Sequence, residues 1–133
     1  MNIRLQHILQ KLEREDGVAT TAIAIPGTIL LVVIALQAAL WFLGSNVAQN
    51  AAVDAYRNAR AYQATADIGT AAGHRVLTRT GEFLTHADVQ VERTPTTVRV
   101  TVTGTVISLI PGLILPAVRR TITGPIERWV PAP

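Results

Sequence analysis

The side chains that invite a chemical reading are Ser45, Ser108, His74, His86 and Asp88. A serine nucleophile works when a base lies in reach and a sharp strand-to-helix turn presents its hydroxyl. Ser45 follows directly on a long apolar run and Ser108 opens an apolar loop, so neither sits in such an elbow. His86-Ala87-Asp88 would set an imidazole and a carboxylate on one side of a strand, but a metal needs three or four ligands and a third is not evident. These residues read as polar side chains facing solvent. Cysteine is absent, which excludes disulfide staples, thiolate metal sites and a cysteine nucleophile together. Gly69-Thr70-Ala71-Ala72-Gly73 lacks the closing Lys and Ser/Thr of a phosphate-cradling loop. No catalytic residue, cofactor site or metal site is therefore assigned, and the expectation is a protein that is not an enzyme.

Stepping out from these residues, the dominant element is a stretch without charge between Asp16 and Asp54, containing the apolar run Ala22 to Leu43. A helix of about 20 apolar residues crosses a bilayer core of about 30 Å, so this run is long enough to span. Before it, Leu5, Ile8, Leu9 and Leu12 recur at helical spacing and make one apolar stripe on a leader that either lies on the membrane surface or is removed. The small residues of Leu43-Gly44-Ser45-Asn46-Val47-Ala48 also leave room for cleavage by signal peptidase near Ala48. Pro26-Gly27 favours a kink just inside the run. Gln37 is the one amide well inside it, a candidate intramembrane contact bonding either to another helix or within its own. Trp41 lies near the far end, where indoles commonly meet headgroups. Arg4, Lys11 and Arg14 precede the run, a slight bias that puts the N-terminus in the cytoplasm and the C-terminal part outside.

The remaining chain is long enough for one small domain. The net charge of +3 comes from its nine arginines against six acids, scattered and without interleaved aromatics, which argues against nucleic acid as a partner. From Asn46 to about Ala66 there is no proline or glycine, and Ala48, Ala51, Ala52, Ala55, Ala59, Tyr62 and Ala66 recur on one narrow face. The spanning helix is expected to continue through this segment, its small face seating either its own domain or other subunits. Asp67 to Arg79 reads as a weaker helix closed by Gly81. Then the period changes to two. Val89 and Val91, a Thr94-Pro95-Thr96 turn, and Val98, Val100 and Val102 predict an antiparallel hairpin with one buried face. Ser108 to Pro116 is an apolar loop, Val118 to Thr123 a third strand with Ile122 inward, and Trp129 to Pro133 a loose tail.

A charged stretch ending in Gly17, the spacer Val18-Ala19-Thr20-Thr21, an apolar span carrying Pro26, then Asn46-Val47-Ala48-Gln49-Asn50-Ala51-Ala52 and an Ala/Arg helix occur in that order. With the strand from Val98 to Ile110 running into Pro111-Gly112-Leu113, this order resembles the TadE-like family of tight-adherence pilus assembly proteins, most of all its short actinobacterial members, over most of residues 14–126. The resemblance implies a minor pseudopilin cut by prepilin peptidase between Gly17 and Val18. It implies as partners membrane lipid and other pilins, pseudopilins or pilus assembly proteins. The sequence departs from the family at one position: the usual glutamate at the fifth residue after the cut is Ala22 here, which supplies no charge.

The reading that follows is an α+β protein: a long N-terminal transmembrane helix continuing into an extracytoplasmic helix packed with a small antiparallel sheet, a pilin-like arrangement. Residues 1–17 form the leader or cytoplasmic amphipathic segment, 18–44 the transmembrane helix and 45–133 the extracytoplasmic domain. The expected place is the cytoplasmic membrane, crossed once. The expected role is assembly of a type IV pilus or related secretion machinery. The rivals are an uncleaved envelope scaffold with no filament role and a small secreted protein.

Overall fold

Gly17, Pro26-Gly27 and Gly44 are the only glycine or proline residues before Arg60, so little in this stretch breaks a helix. In the computed structural model, which describes residues 2–133 apart from the side chains of Leu12, Glu13 and Asp16, this stretch is one helix, α1 (Asn2–Arg60). It is unbroken across Pro26, where the missing N–H removes only the bond to the Ala22 carbonyl. The remaining elements are α2 (Ala66–Arg79), β1 (Leu84–Arg93), β2 (Thr97–Val106) and β3 (Val118–Pro125). The protein is α+β.

The chain divides into two units, one ending at Leu36 and one running from Gln37 to Pro133. In the first, the leader stripe residues Leu5, Ile8 and Leu9 are exposed, and Leu12 lies outside the described side chains. Farther on, Ile23, Ile29, Leu30, Leu31 and Ile34 are exposed as well, so this helix presents apolar side chains all round. A polypeptide surface of this kind is unfavourable in water.

In the second unit apolar side chains are buried. Ala48, Ala51, Ala52, Ala55 and Ala59 form the helix face expected from their spacing, and all five are fully buried. Against them lie Val98, Val100 and Val102 of β2, with Val89 of β1 and Val118 of β3. Each valine so buried contributes about 1.5–3 kcal/mol. Alanine is what permits it, because a larger side chain would hold the sheet off the helix. The face thus seats the chain's own domain.

Helix α2 closes on α1 through glycine. A Cβ added at Gly69 would stand 2.6 Å from the Ala59 Cβ and 2.9 Å from the Ala55 carbonyl oxygen. At the other end of α2 the Thr80 N–H returns to the Val76 carbonyl at 3.1 Å, and Gly81 takes φ +80°, the left-handed residue expected to stop the helix.

The sheet is a meander in the order β1-β2-β3, antiparallel throughout. The Thr94 N–H bonds the Thr97 carbonyl at 2.8 Å across the proline turn. The third strand runs from Val118 to Pro125, and Ile122 faces the core opposite Val100 as the alternation predicts.

Two expectations are corrected. The first helix stops at Arg60 and not near Ala66, so Tyr62 falls off the alanine face and is exposed. The cause is tertiary. Arg93 Nε donates to the Ala59 carbonyl at 3.0 Å and the Glu127 N–H donates to the Arg60 carbonyl at 2.9 Å, so the last carbonyls are satisfied from outside, and Gln63 turns the chain at φ +60°. The second correction concerns the start of β1, where His86 and Ala87 together oppose the single residue Gly104. This is a β-bulge with His86 at φ +51°, so the simple alternation assumed for His86-Ala87-Asp88 does not hold.

Candidate functional site

The candidate site begins with α1 itself. From Gly17 to Leu36 the helix carries no charge, and every side chain but Val33 is exposed. One helix of this protein is long and apolar enough to cross a membrane. Gly17, Val18 and Ala22 lie within it, each exposed, and beyond its own helical turn nothing lies within 4 Å of where a Gly17 side chain would stand. The Gly17-Val18 peptide is helical, and the Thr21 hydroxyl donates back to the Gly17 carbonyl at 2.9 Å. A peptidase that reads an extended strand would have to open this turn. Ala22 brings no charge to the position where the resemblance implies a glutamate.

The folded unit starts at Gln37, within the segment that the sequence assigns to the span. Its amide is buried, 5% exposed, and finds its partners neither on another helix nor in its own. Gln37 Nε2 donates to the Ile107 carbonyl at 3.1 Å, and its Oε1 accepts from the Leu109 N–H at 2.7 Å. This pair fastens the start of the β2–β3 loop, residues 107–117, to α1. One turn on, Trp41 Nε1 donates to the Pro116 carbonyl at 3.4 Å and fastens the end of the same loop. Farther along the helix, Ser45 is buried and accepts a hydrogen bond from Arg120, the second residue after the loop's apolar stretch closes at Val118. Gly44 between them leaves room for the sheet, since a Cβ there would come 2.6 Å from Val106 Cγ2 and 3.2 Å from Leu84 Cδ2.

The other residues singled out for chemistry stay apart. Ser45 is engaged by Arg120, and Ser108 is spent on its own loop, donating to the Ile110 carbonyl at 2.8 Å. His74 is exposed on α2, His86 is exposed at the bulge, and the Asp88 carboxylate accepts from Gln90 at 3.1 Å. Among the described residues, no three metal-ligating side chains gather. At the end of α1 remote from these, Arg60 pairs with Glu127 at 2.7 Å and lies 5.6 Å from the Tyr56 ring centre. These neighbours, Tyr56 first, raise its already high pKa, so it stays charged at any physiological pH.

The binding of the loop to Gln37 and Trp41 was not foreseeable from spacing. The usable signal was compositional: Ile107 to Val118 holds no charge yet is broken by Pro111, Gly112 and Pro116, so it is apolar without being able to form a strand. No protein-family model, no curated protein and no solved structure matches this chain.

Proposed function

We propose that this protein is a membrane-anchored, non-enzymatic accessory of the TadE-like kind, a minor pseudopilin serving the assembly of a type IV pilus or a related secretion machine. The observation that carries the reading is the division of labour along α1. Its first part is apolar on all sides from Gly17 to Leu36, whereas its later part buries an alanine face under a small antiparallel sheet. A helix that seats a sheet on one part and bares apolar side chains on the other suits a pilin-like subunit, anchored by the bare part and displaying the domain. On this reading α1 crosses the cytoplasmic membrane once, with Arg4, Lys11 and Arg14 inside and the domain outside. Its partners are lipid, other pilins or pseudopilins and, for processing, prepilin peptidase.

Ala22 favours a second reading, an uncleaved scaffold of the envelope. A pilin's buried glutamate would pair with a neighbour's N-terminal amine in lipid, where an unpaired charge is costly, and alanine cannot take that part. Intact mass after expression in a host with its own prepilin peptidase separates the two, beside a Gly17→Val control. Loss of residues 1–17 in the wild type alone supports the pseudopilin. Full-length mass in both supports the scaffold, and a start near Asn50 indicates a secreted protein.

A further inference from the structure

The β2–β3 loop has an unusual distribution of polarity. Part of its backbone is occupied by internal partners: the Ile107 carbonyl and Leu109 N–H by Gln37, the Ile110 N–H by the Ser108 hydroxyl, and the Leu113 N–H by the Ile110 carbonyl at 3.2 Å, whereas the Gly112, Ile114 and Leu115 N–H groups have no partner among the described residues. Pro111 and Pro116 have no N–H to satisfy. Its side chains do the reverse and face outward. Ile107, Leu109 and Leu113 are exposed, and Ile114 is 93% exposed. A loop in water ordinarily shows polar side chains and solvates its backbone. Bare aliphatic side chains over a backbone that still needs water suit the boundary between acyl chains and headgroups, where both are met.

The level of the loop along α1 agrees. Gln37, which holds one end of the loop, stands near the end of the apolar run Ala22 to Leu43. Trp41 follows about 6 Å later, at headgroup depth, and Ser45 about 12 Å later. The loop is tied to Gln37 at one end and Trp41 at the other, and Arg120 is tied to Ser45. Arg119 and Arg120 are both exposed and follow the apolar stretch directly. The sequence of chemistries is thus aliphatic, indole, guanidinium, in the order a leaflet presents acyl chain, interface and anionic headgroup.

We propose that residues 107–117 form a second membrane contact, seated in the acyl-headgroup boundary of the leaflet from which the domain emerges, with Arg119 and Arg120 on anionic headgroups. This rests on the reading of α1 as the membrane span. The contact ties the domain to the bilayer at a second place, with Gln37 as the clasp that fastens the loop to α1.

The chain has no cysteine, so single cysteines report position cleanly. The full chain carrying Ile114→Cys, labelled with a polarity-sensitive fluorophore, is reconstituted into phosphatidylcholine vesicles containing phosphatidylglycerol and lipids bearing a nitroxide near the headgroup or near the chain end. Val32→Cys reports the span and Thr123→Cys the sheet. The expected result is severalfold stronger quenching at Ile114 than at Thr123, best with the shallow nitroxide, reduced when phosphatidylglycerol is omitted or when Arg119 and Arg120 are both changed to Gln. Quenching of Val32 by the deep nitroxide with Ile114 no better quenched than Thr123 overturns the loop contact and leaves the span standing. An unquenched Val32 overturns both. Label-to-label energy transfer at Ile114 that vanishes on dilution in lipid, without quenching, overturns the proposal in favour of a second copy of this chain on the loop.

Discussion

Gln37 illustrates how much one polar side chain can decide. Alone on an apolar helix it suggests glue between helices, yet both ends of its amide are consumed by the loop 70 and 72 residues away. Gln37→Leu would leave the Ile107 carbonyl and the Leu109 N–H without their partner, a loss of about 1–3 kcal/mol. The expected outcome is a lower Tm in detergent micelles together with faster proteolysis of the loop; an unchanged Tm would show that the clasp contributes nothing. The Arg60–Glu127 pair makes the opposite case. Its side chains are 39% and 52% exposed, so Glu127→Gln is expected to change stability by less than about 1 kcal/mol in the same melt.

At the scale of elements, the contacts between α1, α2 and the sheet depend on the absence of side chains. Gly69 faces Ala59 and Ala55 of α1, and Gly73 faces Val89 of β1, where an added Cβ would stand only 2.9 Å from Val89 Cγ1. Gly69→Ala is expected to force the helices apart at a cost of about 1–3 kcal/mol. Gly27→Ala, where nothing beyond its own helical turn lies within 4 Å, should be neutral or raise stability by about 0.5–1 kcal/mol through helix propensity. Comparing the two thermal melts separates close packing from a general intolerance of change at glycine. The bulge of β1 obeys the same logic, because Gly104 opposite it leaves room for Leu84, whose Cβ would lie 3.1 Å from an added methyl.

For the molecule as a whole, the testable matter is how the bare and covered parts of α1 are used. If the apolar part spans the membrane as proposed, a membrane-impermeant thiol reagent added to intact cells should label Thr123→Cys, whereas Gln6→Cys, placed on the Gly17→Val chain so that residues 1–17 are retained, should need permeabilised cells. Labelling of both from one side would mean that α1 does not cross. Ala22→Glu restores the charge that the TadE-like resemblance implies and is expected to raise the processed fraction or the recovery of crosslinked partners. Ala22 is exposed on the helix, so the new side chain meets no packed neighbour within the chain. Loss of membrane insertion would instead identify Ala22 as lipid-facing.

Local pattern was enough to read the long helix, the alanine face, the proline hairpin, the third strand and the inward Ile122, because helical and strand periods are properties of consecutive residues. The same pattern could not locate the end of α1, which is set by Arg93 and Glu127 arriving from the sheet, nor the bulge, which needs Gly104 across the ladder. For Gln37 the sequence established only that an amide stands among aliphatic side chains. Its partners, like the closure of Ser45 by Arg120, were decided by tertiary structure, because a buried polar group must be satisfied by whatever the folded chain brings beside it.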